Sequence, residues 1–155
     1  MKRKNESRGY RNNNPLNIIK TAGTLKYVGA SKVQTDPNFV QFQSKAYGYR
    51  AAIVLLHTYY FKHGLKTIEG IVRRWCPDHT AASYAALVSK RMKWPQDEAL
   101  EWNALAVAAL VLAMAHVENG YLTDNALAEI EEAWKMYLEW LVHRDPKLYA
   151  QLKPA

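Results

Sequence analysis

Asn103–Gly120, NALAVAALVLAMAHVENG, is the stretch whose reading decides the fold. From Ala104 to Val117 only His116 interrupts an apolar run rich in Ala, Leu and Met, residues that give up little on entering a helix. The run is shorter than the roughly 20 residues a bilayer span needs, so it reads as a core helix. Being apolar on every side, it requires neighbours on every side. It ends in Glu118-Asn119-Gly120, and Gly is the usual residue just past a helix C-terminus. A carboxylate there sits at the negative pole of the helix dipole and against apolar neighbours, and both favour its protonated form. General acid catalysis needs a carboxylic acid that stays protonated near neutral pH. The plain alternative is a solvated glutamate at a frayed helix end.

Working outward, 155 residues suit one domain with a substantial core. At 49% apolar and 23% charged, the chain is globular rather than disordered. Its formal charge of +7 implies an anionic partner, whether nucleic acid, an acidic membrane surface or an acidic cell-wall polymer. The single cysteine, Cys76, rules out an intramolecular disulfide. The opening MKRKNESRGYRNNN has no apolar segment behind its charges, so neither a signal peptide nor a transmembrane segment is expected. The five histidines and Cys76 do not fall into metal-ligand spacing, and no metal or other cofactor is expected. There is no Gly-rich phosphate loop and no Gly-x-Ser-x-Gly elbow. Arg73-Arg74 beside Trp75 comes without a DNA-binding motif, so no specific nucleic acid is expected.

In chain order, residues 1–8 read as a mobile basic arm and 9–155 as a single domain. Arg8–Ile18 (RGYRNNNPLNI) is a polar, turn-forming segment in which Asn tolerates left-handed backbone and Pro15 fixes φ. Thr24–Val28 and Phe39–Phe42 read as two short strands of a small antiparallel hairpin. Helical spacing begins at Lys45 and runs to about His63, where Gly64 stops it. Thr67 caps a helix from Ile68 to Trp75, ended by Pro77, and another runs from about Ala81 to Met92. After the central run, Thr123 or Asp124 caps a long amphipathic helix ended by Asp145-Pro146. Residues 122–155 thus form a C-terminal helical extension packed on the domain. The fold class is α+β with helix dominant.

RGYRNNNPLNI, FVQFQSKAYGYRAA, TIEGIVRRWCPDHTAASY and AMAHVENG, in that order, resemble blocks of a family of phage and prophage proteins. Members are described as virion structural proteins or lysozyme-like peptidoglycan hydrolases. The resemblance covers about Arg8 to Tyr121. The segment from Asn13 to Tyr84 also resembles bacterial glucosaminidases and lytic transglycosylases of the lysozyme superfamily. In those, the buried helix with its catalytic Glu comes first; here Glu118 comes after the other blocks. The resemblance therefore implies a circularly permuted lysozyme-like fold in which Glu118 closes onto the Asn12–Asn17 loop. The sequence departs from the family at Leu16, where Gly is usual, at Cys76 for Ala, and at Val117, where His often precedes the Glu.

On that resemblance the partner is the peptidoglycan glycan strand, together with other virion proteins. The place of action is a phage particle, or the host cytoplasm before release to the wall. Glu118 would be the general acid/base, with Asn13, Asn14, Asn17 and Gln41 as groove amides and Tyr84 orienting Glu118 or the N-acetyl group. Asp36 is the available second carboxylate, although Asp36-Pro37-Asn38 is first of all a turn. Lytic transglycosylases manage without a second carboxylate. The alternatives are a non-catalytic virion or glycan-binding protein of the same fold, and a basic helical nucleic-acid-binding domain.

Overall fold

Seven α-helices follow one another in the computed structural model, which describes residues 6–155. They are α1 (Arg8–Arg11), α2 (Lys45–His57), α3 (Ile68–Trp75), α4 (Ala81–Met92), α5 (Ala104–Asn119), α6 (Ala126–Arg144) and α7 (Pro146–Leu152). The apolar run is α5. Asn103 caps its start by accepting from the Ala106 N–H at 2.8 Å. Gly120, at φ 82°, closes its end with an N–H to the His116 carbonyl at 2.7 Å. Around it stand α1, α2, α4 and α6, the neighbours that its all-round apolar surface calls for.

α2 extends through a single π turn, Thr58–Lys62, to His63, and Gly64 follows at φ 64°. Thr67 caps α3 by accepting from the Gly70 N–H at 3.1 Å. Lys93, in left-handed backbone before Trp94-Pro95, ends α4. These boundaries agree with the sequence reading. α6 lies along α2 and sends Ile130, Tyr137 and Leu141 into the same fully buried core as Tyr49, Ile53 and Leu56 of α2 and Met114 of α5. It is a wall of the core as much as an extension.

Three expectations need correction. No β-hairpin forms among the described residues: Thr24–Lys26 is a 3₁₀ turn, and only two isolated antiparallel bridges, Ile19 with Phe39 and Ala30 with Phe42, hold the loop layer together. The cause is local, because Thr21 and Thr24 exchange hydroxyl-to-backbone bonds at 2.7 and 3.0 Å that compete with a strand ladder. The α+β class is accordingly reduced to a helix-dominant one. Arg8–Arg11, read as loop, is a turn of helix capped by Ser7. Glu6–Arg8 are not a mobile arm: Glu6 pairs with Lys45 at 3.5 Å, Ser7 donates to Asn119 Oδ1 at 2.6 Å, and Arg8 pairs with Asp36 at 2.7 Å. Residues 1–5 of that arm lie outside the described residues. Asp145-Pro146 ends α6 and also starts α7, with Asp145 accepting from the Leu148 N–H at 3.1 Å and Pro in the first turn.

Candidate active site

The end of α5 is stitched to the N-terminal segment. Asn119 donates to the Pro15 carbonyl at 2.7 Å and accepts from Ser7 Oγ, while the Tyr10 hydroxyl donates to the Tyr121 carbonyl at 2.6 Å. Gly9 makes this close approach feasible: a Cβ there would lie 2.5 Å from Asn119 Oδ1 and 3.0 Å from Asn17 Oδ1. The joint brings Glu118 against the loop that follows α1, a hundred residues earlier in the chain.

Glu118 is half-buried, and each of its oxygens has a neutral donor. The Asn17 amide donates to Oε1 at 3.0 Å, and the Tyr84 hydroxyl, on a buried residue of α4, donates to Oε2 at 2.8 Å. Asn17 sits in left-handed backbone, φ 53°, a conformation Asn adopts more readily than most residues. Burial raises the pKa of Glu118 above the ordinary carboxyl range, against the opposing pull of Asn17, Tyr84 and the neighbouring Trp75 indole. Burial, then the Glu118 charge, raises the Tyr84 pKa as well, so its hydroxyl stays a donor. Among the described residues no cation forms an ion pair with Glu118.

Glu118 and Asn17 line a groove of about 440 Å³. Phe39, Ile19 and Leu55 supply apolar wall, Tyr59 and Trp75 supply aromatic surface, and Arg74 and Asp78 add charge. Trp75 is fixed by its indole N–H, which donates to the Leu16 carbonyl at 3.2 Å, and its ring meets Tyr59 edge-on at 5.9 Å. Leu16, where the resembled family has Gly, is wholly buried and helps to anchor this wall. A half-open cleft with aromatic faces, a few polar groups and one carboxyl of raised pKa is chemically suited to proton transfer onto a bound oxygen.

The structure thus brings together Glu118, Asn17 and Tyr84 from the expected set. The others hold the scaffold. Asn14 is fully buried and bonds the Ile18 and Val40 carbonyls at 3.0 and 2.9 Å. Asn13 donates to the Phe42 carbonyl at 3.1 Å. Gln41 accepts from the Thr35 N–H at 2.6 Å and donates to Asn12 at 3.1 Å. All three amides satisfy loop groups where strand pairing would otherwise do so. Asp36 takes the Arg8 guanidinium on both oxygens at 2.7 Å, and also the Asn12 amide and the Asn38 and Phe39 N–H groups. Arg8 first, then these donors, hold its carboxyl well below the usual range, so it is an ionised anchor rather than a partner for Glu118. Trp75, Tyr59 and Arg74 were not singled out for the groove from sequence. Arg74 and Trp75 lie just ahead of Pro77, where α3 must end, whereas Tyr59 lies in the π turn that extends α2 and reaches the groove only through the fold.

No helix among the described residues is long and apolar enough to cross a membrane. No family model matches the chain. A curated relative, Protein P5 of Pseudoalteromonas phage PM2, is 37% identical over 117 residues, which cover 74% of this chain and 72% of that protein. At that identity and coverage, the chain belongs to the same family as Protein P5 of this phage.

Proposed function

We propose that the groove binds a peptidoglycan glycan strand and that Glu118 is the general acid that cleaves it. One observation carries the reading. Glu118 is a half-buried carboxyl held by two neutral donors, with its pKa raised, on the wall of an aromatic-lined groove. Burial shifts that carboxyl toward its protonated form, the form a general acid needs beside a glycosidic oxygen.

In the reaction, the Glu118 O–H gives its proton to the glycosidic oxygen as the bond to the anomeric carbon breaks. Asn17 and Tyr84 are positioning residues: they fix both carboxyl oxygens and stabilise the carboxylate left behind. A hydrolase of this class would need a second carboxylate at a set separation. Asp36 is committed to Arg8, and Asp78, also on the groove, is exposed and bonded to the Thr80 N–H at 2.7 Å. Lytic transglycosylation is therefore the favoured branch. There the 6-hydroxyl of the muramyl unit attacks the anomeric carbon, its proton passes to the Glu118 carboxylate, and a 1,6-anhydro end results. The contact of Glu118 with Asn17 also supports a circularly permuted lysozyme-like fold, in which these two segments must meet. Membership of a phage protein family supports a role in a virion or in lysis, where peptidoglycan is the barrier.

The test compares wild type with Glu118→Gln on purified peptidoglycan, following turbidity and the mass of released fragments, with both proteins checked by thermal melt. Loss of cleavage by at least about 100-fold in a folded Glu118→Gln protein is expected. Equal inactivity of both, with retained sedimentation on peptidoglycan, would replace the enzyme with a glycan-binding virion protein.

A further inference from the structure

We propose that Arg74 reads a carboxylate on the muramyl unit, so that the groove selects the acidic glycan strand over a neutral N-acetylglucosamine polymer. The proposal rests on the glycan reading of the groove and adds the basis of its specificity.

Among the described residues, Arg74 is the one Lys or Arg on the groove wall. Its neighbour Arg73 is spent on the outer face of α3, paired with Glu69 one turn earlier at 3.2 Å. The ion pairs among the described residues are Arg8 with Asp36, Lys45 with Glu6, and Arg73 with Glu69, and Arg74 belongs to none of them. The guanidinium lies over the Tyr59 ring, 5.2 Å from its centroid, a cation–π contact that favours this position. Tyr59 in turn packs edge-on against Trp75, whose indole is tied to the Leu16 carbonyl. A chain of contacts therefore runs from the wall beside Glu118 out to the exposed Arg74 guanidinium. Asp78, the nearby acid on the groove, is bonded to Thr80 and Cys76 and does not pair with Arg74.

A positioned guanidinium with open donors on a groove wall matches a planar carboxylate, which it can bind through two parallel N–H groups. Of the two sugars in the strand, only the muramyl unit carries a carboxyl function. It is the lactyl carboxylate in a bare strand, and a free carboxylate of the stem peptide in an intact one. A chitin-like polymer offers neither. Apolar wall at Ile19 and Phe39 receives sugar faces without regard to charge, so discrimination falls to Arg74.

The experiment measures equilibrium binding by the full chain carrying Glu118→Gln, which prevents turnover. The probes are intact strands, strands stripped of peptide by an amidase, both kinds with carboxylates neutralised by carbodiimide and methylamine, and chitooligosaccharides. Arg74→Gln is expected to weaken binding to a carboxylate-bearing strand by about tenfold, with no effect on its neutralised form. Arg74→Lys should recover part of the loss, and Arg73→Gln should change nothing. Whichever of the stripped and intact strands shows the loss identifies the lactyl or the stem-peptide carboxylate as the ligand. If charged and neutralised strands bind equally, or Arg74→Gln weakens both alike in a protein with an unaltered melt, the assignment to Arg74 is overturned and the glycan reading stands. If the parent protein binds none of the strands, the glycan reading falls and takes the assignment with it.

Discussion

Removal of the Tyr84 hydroxyl probes the acid without touching it. In the folded protein that hydroxyl donates to Glu118 Oε2 at 2.8 Å from a side chain on α4 that is 7% exposed. A hydrogen bond to an ionised group is worth about 1.5–3 kcal/mol. Losing that stabilisation of the carboxylate should raise the Glu118 pKa further in Tyr84→Phe. The sign follows from the bond favouring the charged form, so without it the proton stays on to higher pH. Carboxyl ¹³C NMR titration reads this directly, with Glu118→Gln assigning the resonance, and needs no substrate. If the protein cleaves glycan, the alkaline limb of its activity profile should move up by the same amount. Stability is linked to the same shift. The raised folded-state pKa means that ionising Glu118 costs stability as pH rises through it, a cost absent below the ordinary carboxyl range. The melting gap between Tyr84→Phe and wild type should therefore widen as pH rises above the ordinary carboxyl range. A Glu118 titration that stays put or moves down in a folded Tyr84→Phe protein would refute the claim that Tyr84 controls the acid.

Two further perturbations follow from the same geometry. Gly9→Ala places a methyl 2.5 Å from Asn119 Oδ1, an atom already bonded to Ser7, so the joint must open. A loss of about 1–3 kcal/mol in urea unfolding is expected and, if the protein cleaves glycan, reduced cleavage as Asn17 shifts away from Glu118. Asp78→Asn keeps an oxygen for the Thr80 N–H and removes the charge, together with the weak Cys76 thiol contact on the other oxygen. If transglycosylation is the route, cleavage survives with 1,6-anhydro products. A drop of about 10²–10⁴ with loss of hydrolytic products would instead make Asp78 the second carboxylate.

How much of this was legible in sequence depended on how local each cause was. α5 could be read because its composition, its Asn103 cap and its Gly120 stop all lie within the helix or next to it. The same holds for Thr67 at the head of α3. Thr24–Lys26 was misread because β-branched residues suggested a strand, whereas the Thr21–Thr24 hydroxyl exchange decided the turn. Among the amides, nothing in RNNNPLN separates Asn17, which faces Glu118, from Asn14, which faces backbone carbonyls. That difference is set by where α5 and Val40 arrive in space. Asp36 was legible as a turn residue, through its bonds to the Asn38 and Phe39 N–H groups, but its dominant partner Arg8 lies 28 residues upstream. Arg74 offered a faint signal. Glu69 and Arg73 share one face of α3 at i and i+4, which turns the adjacent Arg74 toward another.

The bond from Asn17 to Glu118 spans 101 residues and that from Tyr84 to Glu118 spans 34. Contacts of that range close late, because the intervening loop must lose its entropy before the bonds form. A chain under synthesis carries its aromatic wall and both donors well before it carries the acid. The surroundings of Glu118 are then set only when α5 docks against α1. Until that moment Glu118 has neither the burial that raises its pKa nor the two donors that hold it, so the environment of this side chain belongs to the completed fold and not to any part of it.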